Sequence, residues 1–515
     1  MSEIDVDAAR EKNEERAEEE FREGPVVPEP DRAPIGDAIA DFWARDGLSL
    51  AIPAHRGGAG AVRPDAAAWL GDAVFRADLG MDKGVDDRHQ SWQVEPTAMD
   101  LFARAVGADT TLFSTNGSSQ NVRLAIMAVA RPGETIVMAR NGHKSAFAGL
   151  VLSGARPVYV EPDYDDRWQV AHGIDPAALD RALTEHPEAR AALIFSPSYY
   201  GVSADVAALA EVAHAHGVPL VTDDAWGLDH AFCSRLPPSS LSCGTDIAIG
   251  SVHKSLNGLG QTSVLSVQGD RIDTGRLQLL VELEQSTSAS SVLLSSIDGA
   301  RRQFQRDGEA LLGNAIDLAL GLRERIAGID GLDLMGEEVL DRPGAHALDP
   351  THVAFDVTGL GLTGFAAADW LRRHEHVQLE LSDHRRLMAL ITYADTQGHV
   401  DRLVGALERL VDAHRDAEPA LIPDVPRTED LRTETVVLPR DALLGRTETV
   451  GWRDAAGRVS AEMVCPYPPG VPVVAPGERL TPAIVDYLQG LAAAGVMVEG
   501  IVDESLATFR VVAED

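Results

Sequence analysis

Lysine is almost missing from this chain: of its 45 basic residues only Lys12, Lys83, Lys144 and Lys254 are lysines, and the other 41 are arginines. A compositional drift toward arginine replaces any lysine that serves only as a charge. Arginine stays protonated and cannot act as an amine nucleophile, whereas lysine can lose its proton and form an imine with a carbonyl compound. A retained lysine inside a chemistry-bearing run is therefore informative. Cysteine is scarce as well. Cys233, Cys243 and Cys465 are too few and too scattered for a disulfide framework, and no metal-ligand spacing surrounds them, so they are expected to be small buried thiols and no metal is expected. No stretch of about 18 apolar residues occurs, and no N-terminal apolar run follows a basic stretch. Neither a transmembrane helix nor a signal peptide is expected, and the expected address is the cytoplasm. Positive charge is outweighed by 80 acidic residues, for a net charge of −35. That balance argues against nucleic acid and anionic membrane as partners and favours small cationic molecules.

With 515 residues and 45% hydrophobic content, the chain can bury two or three cores. Residues 1–24 are dominated by Glu, Arg and Ala and read as an acidic arm, disordered or helical. A proline-marked linker segment follows over 25–95; within it a helical pattern spans 38–50, and a turn-rich run exposes His55 and Arg56. From about residue 96 short apolar pieces alternate with helical stretches, with strands expected at 111–114, 135–138, 157–160, 192–195, 219–222 and 247–249. Such alternation implies a mainly parallel α/β sheet with ligands at the carboxyl ends of its strands. This large domain is expected over 96–310. A smaller domain is expected over 311–420, with one long amphipathic helix at 303–326. Pro419, Pro423 and Pro426 make a second break before a C-terminal domain at 427–515.

The candidate chemistry falls at strand ends. Ile249-Gly-Ser-Val-His-Lys-Ser255 brings Ser251, His253 and Lys254 together after an apolar strand, and Lys254 is the first candidate for an imine-forming amine. Thr115-Asn-Gly-Ser-Ser119 sets Gly117, Ser118 and Ser119 at a strand-to-helix turn, where free backbone N–H groups and the helix dipole suit a phosphate monoester. Such residues are also ordinary N-caps. Thr222-Asp-Asp-Ala-Trp226 puts Asp223 at a strand's end, where it could pair with the ring nitrogen of a pyridine cofactor; Asp224 reads as a capping or solvated residue. Arg140-Asn-Gly-His-Lys144 could lay His143 flat on a ring, and makes Lys144 the rival imine lysine with a poorer phosphate-binding set around it.

Taken in order, Gly117-Ser-Ser119, His143, Asp223-Asp-Ala-Trp226 and Ser251-Val-His-Lys254 resemble the prokaryotic-type ornithine/lysine/arginine decarboxylase family, which depends on pyridoxal 5'-phosphate and has the aspartate aminotransferase fold. The resemblance runs from about residue 30 to 510 and includes Pro53 to Gly58, Gly84 to Asp87, Cys465-Pro-Tyr-Pro-Pro-Gly470 and Pro476-Gly-Glu478. It implies fold type I: a mainly parallel seven-stranded sheet, a smaller α+β domain and a C-terminal domain. It also implies that Lys254 forms the Schiff base, with His253 and Ser251 near it or the phosphate. Ser118 and Ser119 would then bind phosphate, His143 stack on the pyridine face, Asp223 pair with the ring nitrogen and Trp226 wall the pocket. Members are built from dimers with active sites at the interface, so at least a homodimer is expected. Two departures stand out. The usual Pro-Gly-His-Lys is Pro53-Ala-His-Arg56, and the usual Thr-Thr-Ser-Pro-Ser-aromatic stretch is Ser286-Thr-Ser-Ala-Ser-Ser291. The receiver-like wing domain of the long forms is expected to be absent, and ring-stacked decamers with it.

The implied activity is that of a carboxy-lyase of polyamine metabolism. A basic amino acid loses CO₂ and leaves as agmatine or a diamine. Short family forms often take arginine, which favours it over lysine and ornithine. Asp86, Asp87, Glu380 and Asp383 are candidates to meet the cationic side chain. An aminotransferase or a carbon–sulfur lyase on the same fold is the alternative, as is an inactive regulatory homologue, since the same residues would bind the cofactor in each.

Overall fold

Seven short segments pair into one sheet in the computed structural model: β1 (Thr110–Ser114), β2 (Thr135–Ala139), β3 (Arg156–Val160), β4 (Ala192–Phe195), β5 (Leu220–Asp223), β6 (Ile247–Ser251) and β7 (Ser263–Val267). Their order is β1-β7-β6-β5-β4-β2-β3. Residues 29–47, 50–58, 70–81, 85, 93–415, 431–466, 470–493 and 496–514 are described. The acidic arm expected over 1–24, Lys12, Lys83, the run at 84–87 apart from Val85, the prolines at 419–426 and residues 467–469 lie outside them.

The inner strands are covered on both faces, so they read as continuous apolar runs rather than alternating ones. Val137, Leu193, Val221 and Ile249 are each no more than 1% exposed. β3, β2, β4, β5 and β6 run parallel, and β7 is antiparallel to both its neighbours. β7 was not among the strands expected from the sequence, because Ser263 and Ser266 interrupt its apolar pattern. The structure satisfies both hydroxyls: Ser263 Oγ donates to Gly250 O at 2.8 Å, and Ser266 Oγ lies 2.8 Å from Thr111 Oγ1.

Helices α1 (Val94–Val106), α2 (Gly117–Val129) and α3 (Lys144–Ser153) pack around this sheet, and the chain then crosses on α4 (Ser291–Ala327) to a smaller sheet. The long helix begins near 291 rather than 303. Its serine-rich first turns look like a loop in sequence, yet tertiary packing buries Leu294, Ile297 and Asp298 there. Asp298 and Arg301, both fully buried, also fix the N-terminal lead-in: Ile35 N–H donates to Asp298 Oδ2 at 3.0 Å, and Arg301 donates to the carbonyls of Pro30 and Arg32. The helix expected at 38–50 runs from Pro34 to Ala44, with proline in its first turn. His55 is half-buried instead of exposed, since its ring pairs with Asp78 at 3.1 Å.

The small sheet is antiparallel, with β8 (Asp333–Leu334), β9 (His352–Asp356), β10 (Leu381–Ser382) and β11 (Arg386–Leu390) in the order β8-β9-β11-β10. α5 (Gln397–His414) buries one apolar stripe against it. The C-terminal unit has its own core, built on the pair Thr447–Gly451 with Thr508–Val512 and the helix Pro482–Ala493. It is tied to the end of β2 by side chains of opposite charge, Arg140 with Glu478 at 3.0 Å and Lys144 with Glu499. No helix among the described residues is long and apolar enough to cross a membrane.

Candidate active site

A cavity of about 860 Å³ opens at the carboxyl ends of β2 to β6. That is where the loops of a parallel sheet converge. Gly117, Ser118, Ser119, His143, Asp223, Trp226, His253 and Lys254 line it. Ser251 does not. It is fully buried behind the wall as the last residue of β6, and its Oγ donates to Ser118 Oγ at 3.0 Å. It supports the phosphate-type turn instead of facing the cavity.

The turn is built for an anion. Gly117 adopts φ of +75°, which a side chain would resist, and its N–H donates to Gln261 O at 2.7 Å. Asn116, at the N-cap of α2, offers no side-chain cap. The first turn of this 13-residue helix therefore has no side-chain cap, and the dipole's positive end lies at the turn that carries Ser118 and Ser119.

Asp223 is only 8% exposed and its Oδ1 accepts a hydrogen bond from Ala225 N–H at 3.3 Å. Burial raises its pKa to about 6, against the pull of Lys254. A carboxylate so placed gains from a cationic N–H. Lys254 sits on the single helical turn Val252–Ser255, with Nζ 4.2 Å from the ring centroid of Trp226. Burial lowers its pKa, with Asp223 and Glu380 opposing, so its amine gives up its proton more readily than a solvated lysine.

The two histidines are held in defined tautomers. His143 Nδ1 lies 2.8 Å from Ser145 Oγ and 3.2 Å from Ser145 N–H, both donors to it, which leaves its proton on Nε2. Burial pushes its pKa down to about 4, and the charges of Lys254 and Lys144 act in the same direction. The imidazole is thus neutral at pH 7 and suited to lie against an aromatic ring. His253 Nδ1 donates to Thr262 O at 2.8 Å, so its lone pair is on Nε2.

Other expectations separate here. Lys144 pairs with Glu499 of the C-terminal unit and does not line the cavity. Asp224 is a buried residue rather than a solvated one. Its Oδ2 accepts from Ser240 Oγ at 2.6 Å, and burial raises its pKa to about 7. Asp383 lines the cavity but is already satisfied, accepting from Tyr200 Oη at 2.8 Å, from the Arg386 guanidinium at 2.7 and 2.9 Å, and from two backbone N–H groups. Glu380 is exposed, and Asp86 and Asp87 lie outside the described residues. The cavity also takes residues without a local motif to mark them, among them Tyr159, Glu161, Tyr200 and Arg386. Glu478, from the Pro476-Gly-Glu478 run, lines it too.

The donor set therefore offers an anion site at one end, a carboxylate for a protonated ring nitrogen, a neutral imidazole and a reactive amine. These fit the phosphate, the ring and the carbonyl carbon of pyridoxal 5'-phosphate.

Residues 33–399 match the family described as "Orn/Lys/Arg decarboxylase, major domain", and residues 432–504 match its C-terminal domain. The arginine decarboxylase of Halalkalibacterium halodurans is 35% identical over 94% of this chain and 98% of that protein. That of Bacillus subtilis is 35% identical over 93% of this chain and 98% of that protein. Among solved structures, the constitutive lysine decarboxylase of E. coli superposes with a TM-score of 0.76 at 20% identity, over 94% of this chain and 82% of that one. This last likeness concerns the fold.

A histidine whose pKa drops from about 6.5 in the unfolded chain to about 4 here binds its proton only in the unfolded state across that window. Its contribution to stability is therefore present above about pH 6.5 and is lost as pH falls toward 4. Histidine ¹⁵N resonances should show His143 neutral and Nε2-protonated at pH 7, titrating near pH 4; an ordinary midpoint near 6.5 would contradict the buried tautomer.

Proposed function

The chain belongs to the Orn/Lys/Arg decarboxylase family, and on that premise we propose that it decarboxylates arginine, in preference to lysine or ornithine, with pyridoxal 5'-phosphate. The observation that carries the chemistry is that an amine and a carboxylate, Lys254 and Asp223, line one cavity with a phosphate-type turn and lie near enough to act on each other's charge. The choice of arginine rests on the relatives that match at 35% identity over nearly the whole chain.

When bound, the cofactor supplies an electron sink for the pair released as the bond between Cα and the carboxylate breaks. Lys254 Nζ would hold it covalently, and the α2 N-terminus with Ser118 and Ser119 would hold its phosphate. His143 would lie against the ring, its neutral imidazole adding no charge there. Asp223 would keep a proton on the ring nitrogen: two unit charges about 4 Å apart at an effective ε of about 20 attract by roughly 4 kcal/mol. Once CO₂ has left, Cα needs a proton. Lys254 Nζ and His253 Nε2 are the groups of this cavity able to carry one there. Trp226 excludes water beside Lys254.

The same reading makes the protein at least a homodimer. The helix Thr274–Glu284 presents Leu279 and Leu283, 69% and 78% exposed, and Glu284 O accepts from Gln120 Nε2 of α2 at 2.9 Å. An apolar face thus adjoins the helix whose N-terminus forms the anion site. Sedimentation at the mass of a single chain would remove this part of the reading.

Release of CO₂ from arginine, lysine and ornithine in parallel tests the function. Arginine should be turned over fastest, Lys254→Ala should abolish turnover, and Asp223→Ala should lower kcat by about three orders of magnitude, the rate equivalent of roughly 4 kcal/mol. Substantial turnover by Lys254→Ala, or keto-acid formation without CO₂, would overturn the assignment.

A further inference from the structure

Trp226 is held beside Lys254 by other rings. Its Nε1 is buried and has no hydrogen-bond partner among the described residues, so no polar tether fixes the indole. Lys254 Nζ lies 4.2 Å from the indole centroid, while the Tyr199 ring stands 6.4 Å away at 70° and the His352 imidazole 5.7 Å away at 73°. His352, the nearer ring, is buried. As the first residue of β9 it comes from the small sheet, not from the strand ends that carry the other site residues.

Backbone contacts and one carboxylate fix that imidazole. Arg323 of α4 donates to His352 O at 3.2 Å. Gly201, in the loop after β4, comes so close that a Cβ there would stand 2.7 Å from His352 Cβ, and its carbonyl accepts from Asp349 N–H at 2.8 Å. Asp349 is fully buried. Its Oδ1 accepts from Thr351 N–H at 2.8 Å and from Thr351 Oγ1 at 2.6 Å, and its Oδ2 lies 3.2 Å from His352 Nδ1 and 3.4 Å from His230 Nε2. Burial works to lower the His230 pKa, but the hydrogen bond to Asp349 and the charges of Asp229, Asp349 and Asp224 push it up to about 9. Asp349 is thus an anion pinned between a cationic His230 and His352, and it cannot swing away from one without leaving the other.

We propose that His352, anchored by Asp349, is a positioning residue that holds the Trp226 indole against Lys254, so that the free ammonium rests on an aromatic face. The consequence for turnover rests on the decarboxylation reading: once the substrate has displaced Lys254 from the cofactor, its amine must keep a proton to return to Cα. Burial opposes that by lowering its pKa, with Asp223 and Glu380 acting the other way. An indole face stabilises the ammonium and not the neutral amine. The groups whose charges meet at Lys254 are Asp223, Glu380, His143 and His253; those around His352 are Asp349, His230, Asp229 and Glu380. The small sheet thereby acts on proton return through one ring.

The test reads the Lys254 midpoint on the full-length chain before cofactor is added, from the pH dependence of reductive methylation followed peptide by peptide, with Lys144 as the internal reference. His352→Asn keeps a donor toward Asp349 and withdraws the ring from the indole. It should lower the Lys254 midpoint by about half a unit to one unit, the size of a partly desolvated cation–π contact. If His352 acted through its own positive charge instead, removing it would raise the midpoint, so the sign separates the two. In a Trp226→Leu background the same substitution should change nothing further. His352→Leu serves if the asparagine variant fails to fold. An unchanged or raised midpoint in a folded His352 variant, or an equal shift without Trp226, would overturn the proposal. CO₂ release is not the readout, so failure here and failure of the decarboxylation reading are told apart.

Discussion

A half-buried amine and a buried carboxylate share one cavity, and each restrains the change that burial imposes on the other. Burial pushes the Lys254 ammonium toward its neutral form and the Asp223 carboxylate toward its protonated form, and each charge counters the other's shift. Neither group is satisfied locally. Asp223 accepts one backbone hydrogen bond at 3.3 Å, and the Lys254 ammonium rests on the face of Trp226. Such a pair is costly to bury, and the sheet supports it because β5 and β6 are adjacent, parallel and packed on both faces. The anion-binding turn depends on the same register, since Ser251 at the end of β6 donates to Ser118 in the first turn of α2.

The C-terminal unit is part of this site, not an appendage to it. Its residues Leu431, Thr433, Val473 and Tyr487 form a wall of the cavity. Its ties to the large domain include two ionic pairs, Arg140 with Glu478 and Lys144 with Glu499. Lys144, the described lysine outside the cavity, is thus used where the two units meet. Arg140, its guanidinium 5.0 and 5.2 Å from the ring centroids of Phe147 and Tyr159, is half-buried and paired on the large-domain side of that junction.

Motifs confined to one strand end were legible in the sequence because their neighbours in the chain are also their neighbours in space. Ser118, Asp223 and Lys254 each follow an apolar strand, and the parallel order of β5 and β6 brings the last two together. What the sequence hid was tertiary. β7 was masked by two serines that the fold satisfies, and the first turns of α4 are helical only because Leu294 and Ile297 find a core. Asp383 looked free in a chain rich in acids, yet Arg386, three residues on, and Tyr200, far away in sequence, saturate it. Ser251 looked like a cavity residue because it shares a motif with Lys254. The strand's period of two turns it behind the wall instead.

With four lysines in the whole chain, the identity of the reactive one can be read directly. Loading the protein with pyridoxal 5'-phosphate, reducing it with borohydride and mapping the modified peptide by mass spectrometry should place the pyridoxyl group on Lys254 alone. A group on Lys12, Lys83 or Lys144, or no incorporation, would contradict the account.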